Sequence, residues 1–188
     1  MGNKFFDNIY LNPIIAAVSD IGKLDNAIQS PCEIIFLLTG SIFNLKDIVK
    51  KVKDSGKSIY IHIDLLDGFS RDVVSLKYIN EYIKPDGIIT TKSSLIKHAK
   101  EMGLLTIQRL FMLDSLSLDT GINSIRSTKP DAVEIMPGTM PKAIKYIHKE
   151  TRIPIITGGL IIDKDDVIQS LKAGAIGIST SKEDIWCM

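Results

Sequence analysis

The chain has 188 residues, of which 45% are hydrophobic and 24% are charged, and we therefore expect residues 1–188 to form a single globular domain. Its formal net charge of +1 excludes a general polycation, so any contact with nucleic acid must come from a local patch. The sequence contains two cysteines, Cys32 and Cys187, no apolar run that approaches the ~18 residues of a membrane span, and no secretory signal. It predicts a reduced, cytoplasmic protein that does not contact a membrane.

Short apolar segments alternate with helical segments along the chain. The predicted strands are Pro13–Val18, Glu33–Thr39, Ser58–Asp64, Asp86–Thr90, Leu104–Leu110, Ala132–Met136, Pro154–Thr157 and Ala175–Ser179. The predicted helices are Leu24–Gln29, Asn44–Asp54, Asp72–Ile83, Ser93–Met102, one within Ser115–Ser127, Pro141–Glu150, Asp163–Lys172 and a short one at Lys182–Trp186. Strict alternation is typical of a parallel α/β sheet. We predict a compact (β/α)8 TIM-type barrel with a shortened eighth helix, with an open doubly wound sheet as the alternative.

Two loops near the end of the chain have residues that are typical of an anion-binding site. In (β/α)8 barrels a phosphate commonly binds the loops after strands 7 and 8, next to the N-terminus of a short extra helix. Gly158 and Gly159 follow predicted strand 7 and leave backbone N–H groups accessible, while Ser179, Thr180 and Ser181 end strand 8 with hydroxyl groups. We predict that these five residues bind a phosphate. A tight glycine turn and a hydroxyl helix cap are the structural alternatives.

Polar side chains also converge on the predicted interior of the barrel. Because side chains alternate along a strand, we expect Asp64, Gln108 and Glu134 to face inward near the C-terminal ends of strands 3, 5 and 6, and Arg109 to face outward. Lys92 follows strand 4 and can reach the same opening. Buried carboxylates are costly unless they are paired or hydrogen-bonded. We predict that Asp64, Lys92, Gln108 and Glu134 bind the hydroxyl groups of a ligand.

Long blocks of the sequence resemble one known family. IHIDLLDGFSRD (61–72), DGIITTKSSLIKHAKEMGLLTIQRLFMLDSLSL (86–118), PDAVEIMPGTMPK (130–142), IPIITGGLI (153–161) and AGAIGISTSKEDIW (173–186) are similar to the glycerol uptake operon antiterminator regulatory protein family. The resemblance covers nearly the whole chain. It implies a non-enzymatic barrel without catalytic residues, metal or cofactor, which binds glycerol 3-phosphate as effector and acts on leader mRNA to prevent premature transcription termination.

RNA-binding proteins usually carry an evident basic surface, whereas the charges of this chain nearly balance. Two helices nevertheless present lysines on one face, which is the pattern of a phosphate-binding patch and also of an ordinary solvated face. The candidate RNA-binding residues are Lys46, Lys50 and Lys53 on the first of these helices, and Lys142, Lys145 and Lys149 on the second.

Two other functions compete with the regulator. One is a small phosphate-binding barrel enzyme that acts on a phosphorylated three-carbon substrate, with Asp64 or Glu134 as base and Lys92 as electrophile or Schiff-base former. The other is a barrel that binds a metabolite and a protein partner. His62 lies deeper than Asp64, and its pattern favours a hydrogen-bonded core histidine. A homo-oligomer is compatible with each function.

Overall fold

The computed structural model describes residues 4–188, which contain eight parallel strands closed into a barrel in sequential order. The strands are β1 (Ile14–Val18), β2 (Ile34–Leu37), β3 (Ser58–His62), β4 (Gly87–Thr90), β5 (Leu105–Phe111), β6 (Ala132–Met136), β7 (Ile155–Gly158) and β8 (Gly177–Thr180). Strand β8 pairs with β1, with Ile14 opposite Ile178. The predicted closed barrel is confirmed, and the open sheet is excluded.

Helices follow the strands around the outside of the barrel. They are α1 (Lys4–Leu11), α2 (Leu24–Gln29), α3 (Leu45–Asp54), α4 (Val73–Tyr78), α5 (Ser93–Glu101), α6 (Ser115–Thr128), α7 (Pro141–Thr151), α8 (Lys164–Lys172) and α9 (Glu183–Trp186). Helix α4 continues as a π-helical turn at Ile79–Ile83, and 3-10 turns lie at Ile21–Lys23 and Ile63–Leu65. The four residues of α9 confirm the shortened eighth helix. No helix within residues 4–188 is long and apolar enough to cross a membrane.

Alternating strand side chains build two separate parts of the core. Outward side chains pack against helices, as when Ile59 and Ile61 join Leu45, Val49 and other buried residues of α3. Inward side chains fill the barrel with the apolar cluster Ile15, Ile34, Phe36, Tyr60, Ile89, Ile107, Ala132 and Ile156. This filling makes the barrel a packed core rather than a pore.

Helix α1 closes the N-terminal end of the barrel and was not among the predicted elements. Phe5 and Ile9, four residues apart, insert into the interior cluster, and the ring centroids of Phe5 and Tyr60 lie 4.9 Å apart. The amide of Asn8 donates to Ser58 Oγ at 3.1 Å. The pair of apolar residues at i and i+4 was the available signal, but one such pair in eight residues is a weak helical pattern.

Helix α9 fixes the other end of the chain to the barrel. Trp186 is 1% exposed, and its indole Nε1 donates to the carbonyl of Thr180 at 2.7 Å. The thiol of Cys32 donates to the carbonyl of Trp186. Because Thr180 ends β8, this anchor also holds the loop that follows β8.

We expect Trp186→Ala to lower the free energy of unfolding by about 3–5 kcal/mol, because it leaves a large cavity in the core. Urea denaturation followed by circular dichroism measures the change, since Trp186 is the sole tryptophan. Tyr10→Ala is the control: Tyr10 is 89% exposed, so its removal should change stability by less than about 0.5 kcal/mol. Similar losses in both variants would contradict the anchoring role of α9.

Candidate functional site

A pocket of about 390 Å³ opens at the C-terminal end of the barrel, where functional sites of this fold lie. Its size suits a small molecule. Its lining comes from the ends of β1, β2, β5 and β6 and from the segments that follow β7 and β8. The lining residues are Ala17, Ser19, Leu38, Arg109, Glu134, Met136 and residues 159–162 and 179–182.

A buried ion pair forms one wall of the pocket. Arg109 and Glu134 are register partners on the adjacent strands β5 and β6. Arg109 Nε donates to Glu134 Oε2 at 2.7 Å, and the two side chains are only 6% and 1% exposed. The orientation of Glu134 follows from strand alternation, because Val133 and Ile135 pack outward against α7. The prediction that Glu134 faces inward is confirmed.

The predicted orientation of strand 5 is wrong. Ile107 belongs to the interior cluster, so Arg109 points inward and Gln108 points outward. The Gln108 amide donates to Ser124 Oγ at 2.7 Å and to Ser93 Oγ at 3.2 Å, which places it between the barrel and helices α5 and α6. In LTIQRLF, Leu105 and Ile107 share one face with Arg109, and Thr106 and Gln108 share the other. The prediction assumed that the apolar face points outward, but the barrel interior is itself apolar, so alternation alone does not determine the orientation of this strand.

The ion pair leaves polar groups unused. Glu134 Oε1 is buried and has no hydrogen-bond partner among the described residues, and no residue within 4–188 accepts a hydrogen bond from the terminal nitrogens of Arg109. A buried acceptor without a partner costs about 1–3 kcal/mol, more when it is charged. A ligand hydroxyl beside Oε1 would remove this cost.

Gly158 makes room for that carboxylate. A Cβ on Gly158 would lie 2.8 Å from Glu134 Oε1, closer than non-bonded atoms tolerate. Gly158 is the last residue of β7 and is buried behind the carboxylate, and the pocket lining begins one residue later. The space that Glu134 Oε1 needs is therefore a steric reason for glycine at this position.

The segment after β7 has an unusual backbone. Gly159 and Leu160 both have left-handed backbone conformations, with φ values of 72° and 58°. This conformation is strained at Leu160, because leucine has a bulky side chain. Gly159 O accepts from Gly138 N at 3.0 Å, which ties the segment to the loop after β6. Leu160 is 68% exposed and stands at the rim of the pocket.

The three hydroxyl residues at the end of β8 and directly after it differ in their environment. Ser179 is 3% exposed and faces inward beside Gly158, while Ser181 lies exposed at the rim. The hydroxyl of Thr180 donates to the carbonyl of Ile161 at 3.3 Å and accepts from Lys182 N at 3.2 Å. Thr180 therefore supports both loops, and its hydroxyl is already engaged.

Asp64 does not line the pocket. Strand β3 ends at His62, and Asp64 lies in the following 3-10 turn, where its carboxylate accepts from Thr90 Oγ1, Thr91 N and Thr91 Oγ1 at 2.7–2.9 Å. Burial alone would raise the pKa of Asp64, but these hydrogen bonds outweigh burial and hold its pKa below the ordinary value. The carboxylate joins the loops after β3 and β4, and the prediction that strand 3 reaches Asp64 is wrong.

Lys92 also lies outside the pocket lining. It is exposed at the start of α5, and its ammonium donates to the carbonyl of Arg71 at 3.2 Å. An exposed, solvated ammonium is not the desolvated amine that Schiff-base chemistry requires.

Sequence reasoning thus found part of the pocket and missed another part. The pocket contains the predicted residues Gly159, Ser179, Thr180, Ser181 and Glu134. Its lining does not include Gly158, Asp64, Lys92 or Gln108. It adds Arg109, Met136, Ser19 and Lys182, which the sequence pattern did not predict. Within residues 4–188 no cluster of three or more histidine, cysteine or carboxylate side chains is placed to hold a metal ion.

His62 lies in the barrel interior near the ion pair. It is 2% exposed, which confirms the predicted core position, but its Nδ1 has no hydrogen-bond partner among the described residues. Burial and the positive charge of Arg109 lower the pKa of His62 to about 4. His62 is therefore neutral at pH 7.

This pKa predicts a specific loss of stability in mild acid. Between pH 6.5 and about 4 the unfolded chain binds a proton on His62 that the folded chain does not, so the unfolding free energy falls as the pH is lowered through this window. From pH 7 to pH 4.5 the contribution is about 2.5 kcal/mol. His62→Phe should lose less stability than the wild type by about this amount, measured by urea denaturation at both pH values.

The lowered pKa of Asp64 acts in a separate window, because its contribution is lost only as the pH falls below 3.8. Equal pH dependence in the wild type and His62→Phe would show that His62 is not the group that titrates.

The barrel and its pocket define a (β/α)8 protein with a pocket of small-molecule size at the C-terminal end of its strands. The profile of the family described as glycerol-3-phosphate responsive antiterminator matches residues 14–186. The chain belongs to this family, and the resemblance seen in the sequence is confirmed.

Three relatives illustrate this membership. The chain is 40% identical over 177 residues to the uncharacterized protein YgcP of Escherichia coli K12, with 94% of this chain and 93% of that protein covered. It is 32% identical to the glycerol uptake operon antiterminator regulatory protein of Listeria monocytogenes, with a TM-score of 0.90 over 93% of this chain and 95% of that one. A related protein from Thermotoga maritima gives 31% identity and a TM-score of 0.85, with 95% and 99% covered.

Proposed function

We propose that the chain is a glycerol 3-phosphate-responsive, RNA-binding regulator that prevents transcription termination of glycerol-utilisation operons. The observation that carries the proposal is the buried Arg109–Glu134 pair, which borders one small pocket and leaves Glu134 Oε1 without a hydrogen-bond partner among the described residues. A polyol phosphate needs both donors and an acceptor, because its phosphate requires donors and its hydroxyls require an acceptor. Membership in the family supports this choice of ligand.

The proposed orientation of glycerol 3-phosphate follows from the positions of the residues that line the pocket. The phosphate lies against the segments at 159–162 and 179–182, where Gly159 leaves the backbone uncovered and Lys182 adds a positive charge. The glycerol end lies toward β5 and β6, where Glu134 Oε1 accepts from a hydroxyl and Arg109 donates. Ser181 donates at the rim.

The same geometry disfavours the enzyme. The candidate base Glu134 is paired with Arg109 at 2.7 Å, so one of its two carboxylate oxygens is already engaged. Asp64 is held by three hydrogen bonds outside the pocket lining, and Lys92 is exposed on another loop. The groups that face the pocket can bind and orient a ligand, which is the task of a sensor.

Glu134→Gln tests the role of the free oxygen. Glutamine has a single carbonyl oxygen, so an oxygen that stays on Arg109 turns the amide N–H2 group toward the ligand. We expect glycerol 3-phosphate to bind about 10- to 100-fold more weakly, the loss expected for a charged hydrogen bond, as measured by calorimetric titration.

Glu150→Gln is the matched control. Glu150 also pairs with an arginine, Arg126, at 2.8 Å, but on the surface, and its variant should bind glycerol 3-phosphate like the wild type. Unchanged affinity in a folded Glu134→Gln protein would remove Glu134 from the site. Turnover of a phosphorylated triose that is lost in this variant would favour the enzyme.

The regulatory step is tested by thermodynamic linkage. A ligand shifts a conformational equilibrium only when it binds one state more tightly, and RNA must then strengthen glycerol 3-phosphate binding by the same factor by which the ligand strengthens RNA binding, typically about 5- to 150-fold. Both factors are measured at one fixed salt concentration, with the leader RNA of a glycerol-utilisation operon from the organism that encodes the chain. RNA affinity that is equal with and without saturating ligand would contradict the regulator.

A further inference from the structure

We propose that the outer face of α7 is the surface that binds single-stranded RNA, and that the lysines of α3 are not. The face consists of Lys142, Lys145, Tyr146 and Lys149 and is called the α7 crest here. The inference rests on the proposed function, because it assigns the RNA partner of that regulator to one of the two lysine patches.

The lysines of the α7 crest are unpaired. Ile144 and Ile147 of α7 are buried against the barrel, and the three lysines project from the opposite side, where all are exposed. Among residues 4–188, no carboxylate lies within ion-pair distance of their ammonium groups. Their charges are therefore available to a partner.

The lysines of α3 are largely occupied. Lys50 pairs with Asp54 one turn away on the same helix. Lys53 pairs with Asp86 at 3.4 Å and donates to the carbonyl of Lys84 at 3.0 Å. Of the three predicted residues, Lys46 alone has no ion-pair partner within the described chain. RNA would have to displace existing partners on α3 but none on α7.

Helix stability does not explain the position of Lys142. It lies in the first turn of α7, which contains no acidic residue, and the helix dipole disfavours a cation there by a few tenths of a kcal/mol or more. Helix α8, in contrast, begins with Asp163 as N-cap and has Asp165 and Asp166 in its first turn. The unfavourable position of Lys142 at the start of the helix is explained if its charge binds RNA.

Tyr146 gives the crest a second means of holding RNA. It is 46% exposed and stands between the lysines. The lysines at 142, 145 and 149 span about 10 Å of helix axis, which matches about three phosphates of a stacked strand at about 3.4 Å each. Lysines that follow phosphates beside an aromatic ring on which a base stacks are the usual design of a single-strand site.

The crest is also linked directly to the ligand pocket. Strand β6 carries Glu134 and Met136, both in the pocket lining, and the four residues after Met136 lead into α7. Within that connection Gly138 N donates to Gly159 O at 3.0 Å, and Gly138 O accepts from Ser170 Oγ of α8 at 3.0 Å. A ligand that moves the segment after β7 therefore acts on the residues that set the position of α7.

The test compares two triple variants of the full chain. K142Q/K145Q/K149Q removes the α7 charges, and K46Q/K50Q/K53Q removes the same number from α3. The binding of a fluorescein-labelled leader transcript is measured with saturating glycerol 3-phosphate over a range of salt concentrations. At about 0.7 per phosphate contact on a single strand, loss of three contacts lowers the salt slope by about 2 and the affinity at 0.1 M salt by about 100-fold.

We expect this loss for the α7 variant and little change for the α3 variant, while calorimetry shows unchanged glycerol 3-phosphate binding in both. Tyr146→Ala should weaken RNA binding by about 5- to 150-fold and Tyr146→Phe should not, because phenylalanine retains the stacking face.

The outcomes separate this inference from the proposed function. Failure of the wild-type protein to bind the transcript overturns the proposed function and this inference with it. Normal wild-type binding that only the α3 variant loses, or that both variants keep, overturns the α7 assignment alone. Preference for a fully duplex competitor RNA over a single strand contradicts the single-strand site.

Discussion

The buried ion pair between Arg109 and Glu134 is the interaction on which the proposed site depends. Removing two charges from water costs several kcal/mol per ion, and the pair persists only with good geometry. The barrel supplies it, because register partners on β5 and β6 meet at 2.7 Å and Gly158 leaves space for the carboxylate. The arrangement still leaves Glu134 Oε1 unsatisfied, which a purely structural pair would not require.

Closure of the barrel buries this pair and positions the loops around it. Helix α1 seals the N-terminal end with Phe5 and Ile9. Helix α9 holds the end of β8 through Trp186, and Thr180 connects that end to Ile161 in the segment after β7. The pocket is therefore held by hydrogen bonds on its β8 side, while the segment after β7 contains a left-handed and strained backbone conformation at Leu160.

The sequence was sufficient for the architecture because the signal repeats. Eight apolar segments alternate with helical segments, and the orientation of β6 is clear because Val133 and Ile135 are apolar while Glu134 is charged. Prediction from the sequence failed where the local pattern of apolar and polar residues is weak. In LTIQRLF, Arg109 shares a face with Leu105 and Ile107, and because the barrel interior is itself apolar the sequence did not reveal that this face points inward, where Arg109 meets Glu134. Asp64 looks like the end of a strand, but its hydrogen bonds to Thr90 and Thr91 turn it into the next loop.

The most direct test of the proposed site is a crystal structure of the chain with glycerol 3-phosphate. We expect the phosphate against residues 159–162 and 179–182, a glycerol hydroxyl within hydrogen-bond distance of Glu134 Oε1, and the Arg109–Glu134 pair intact. A phosphate bound elsewhere, or a glycerol end that does not reach Glu134, would contradict the proposed site.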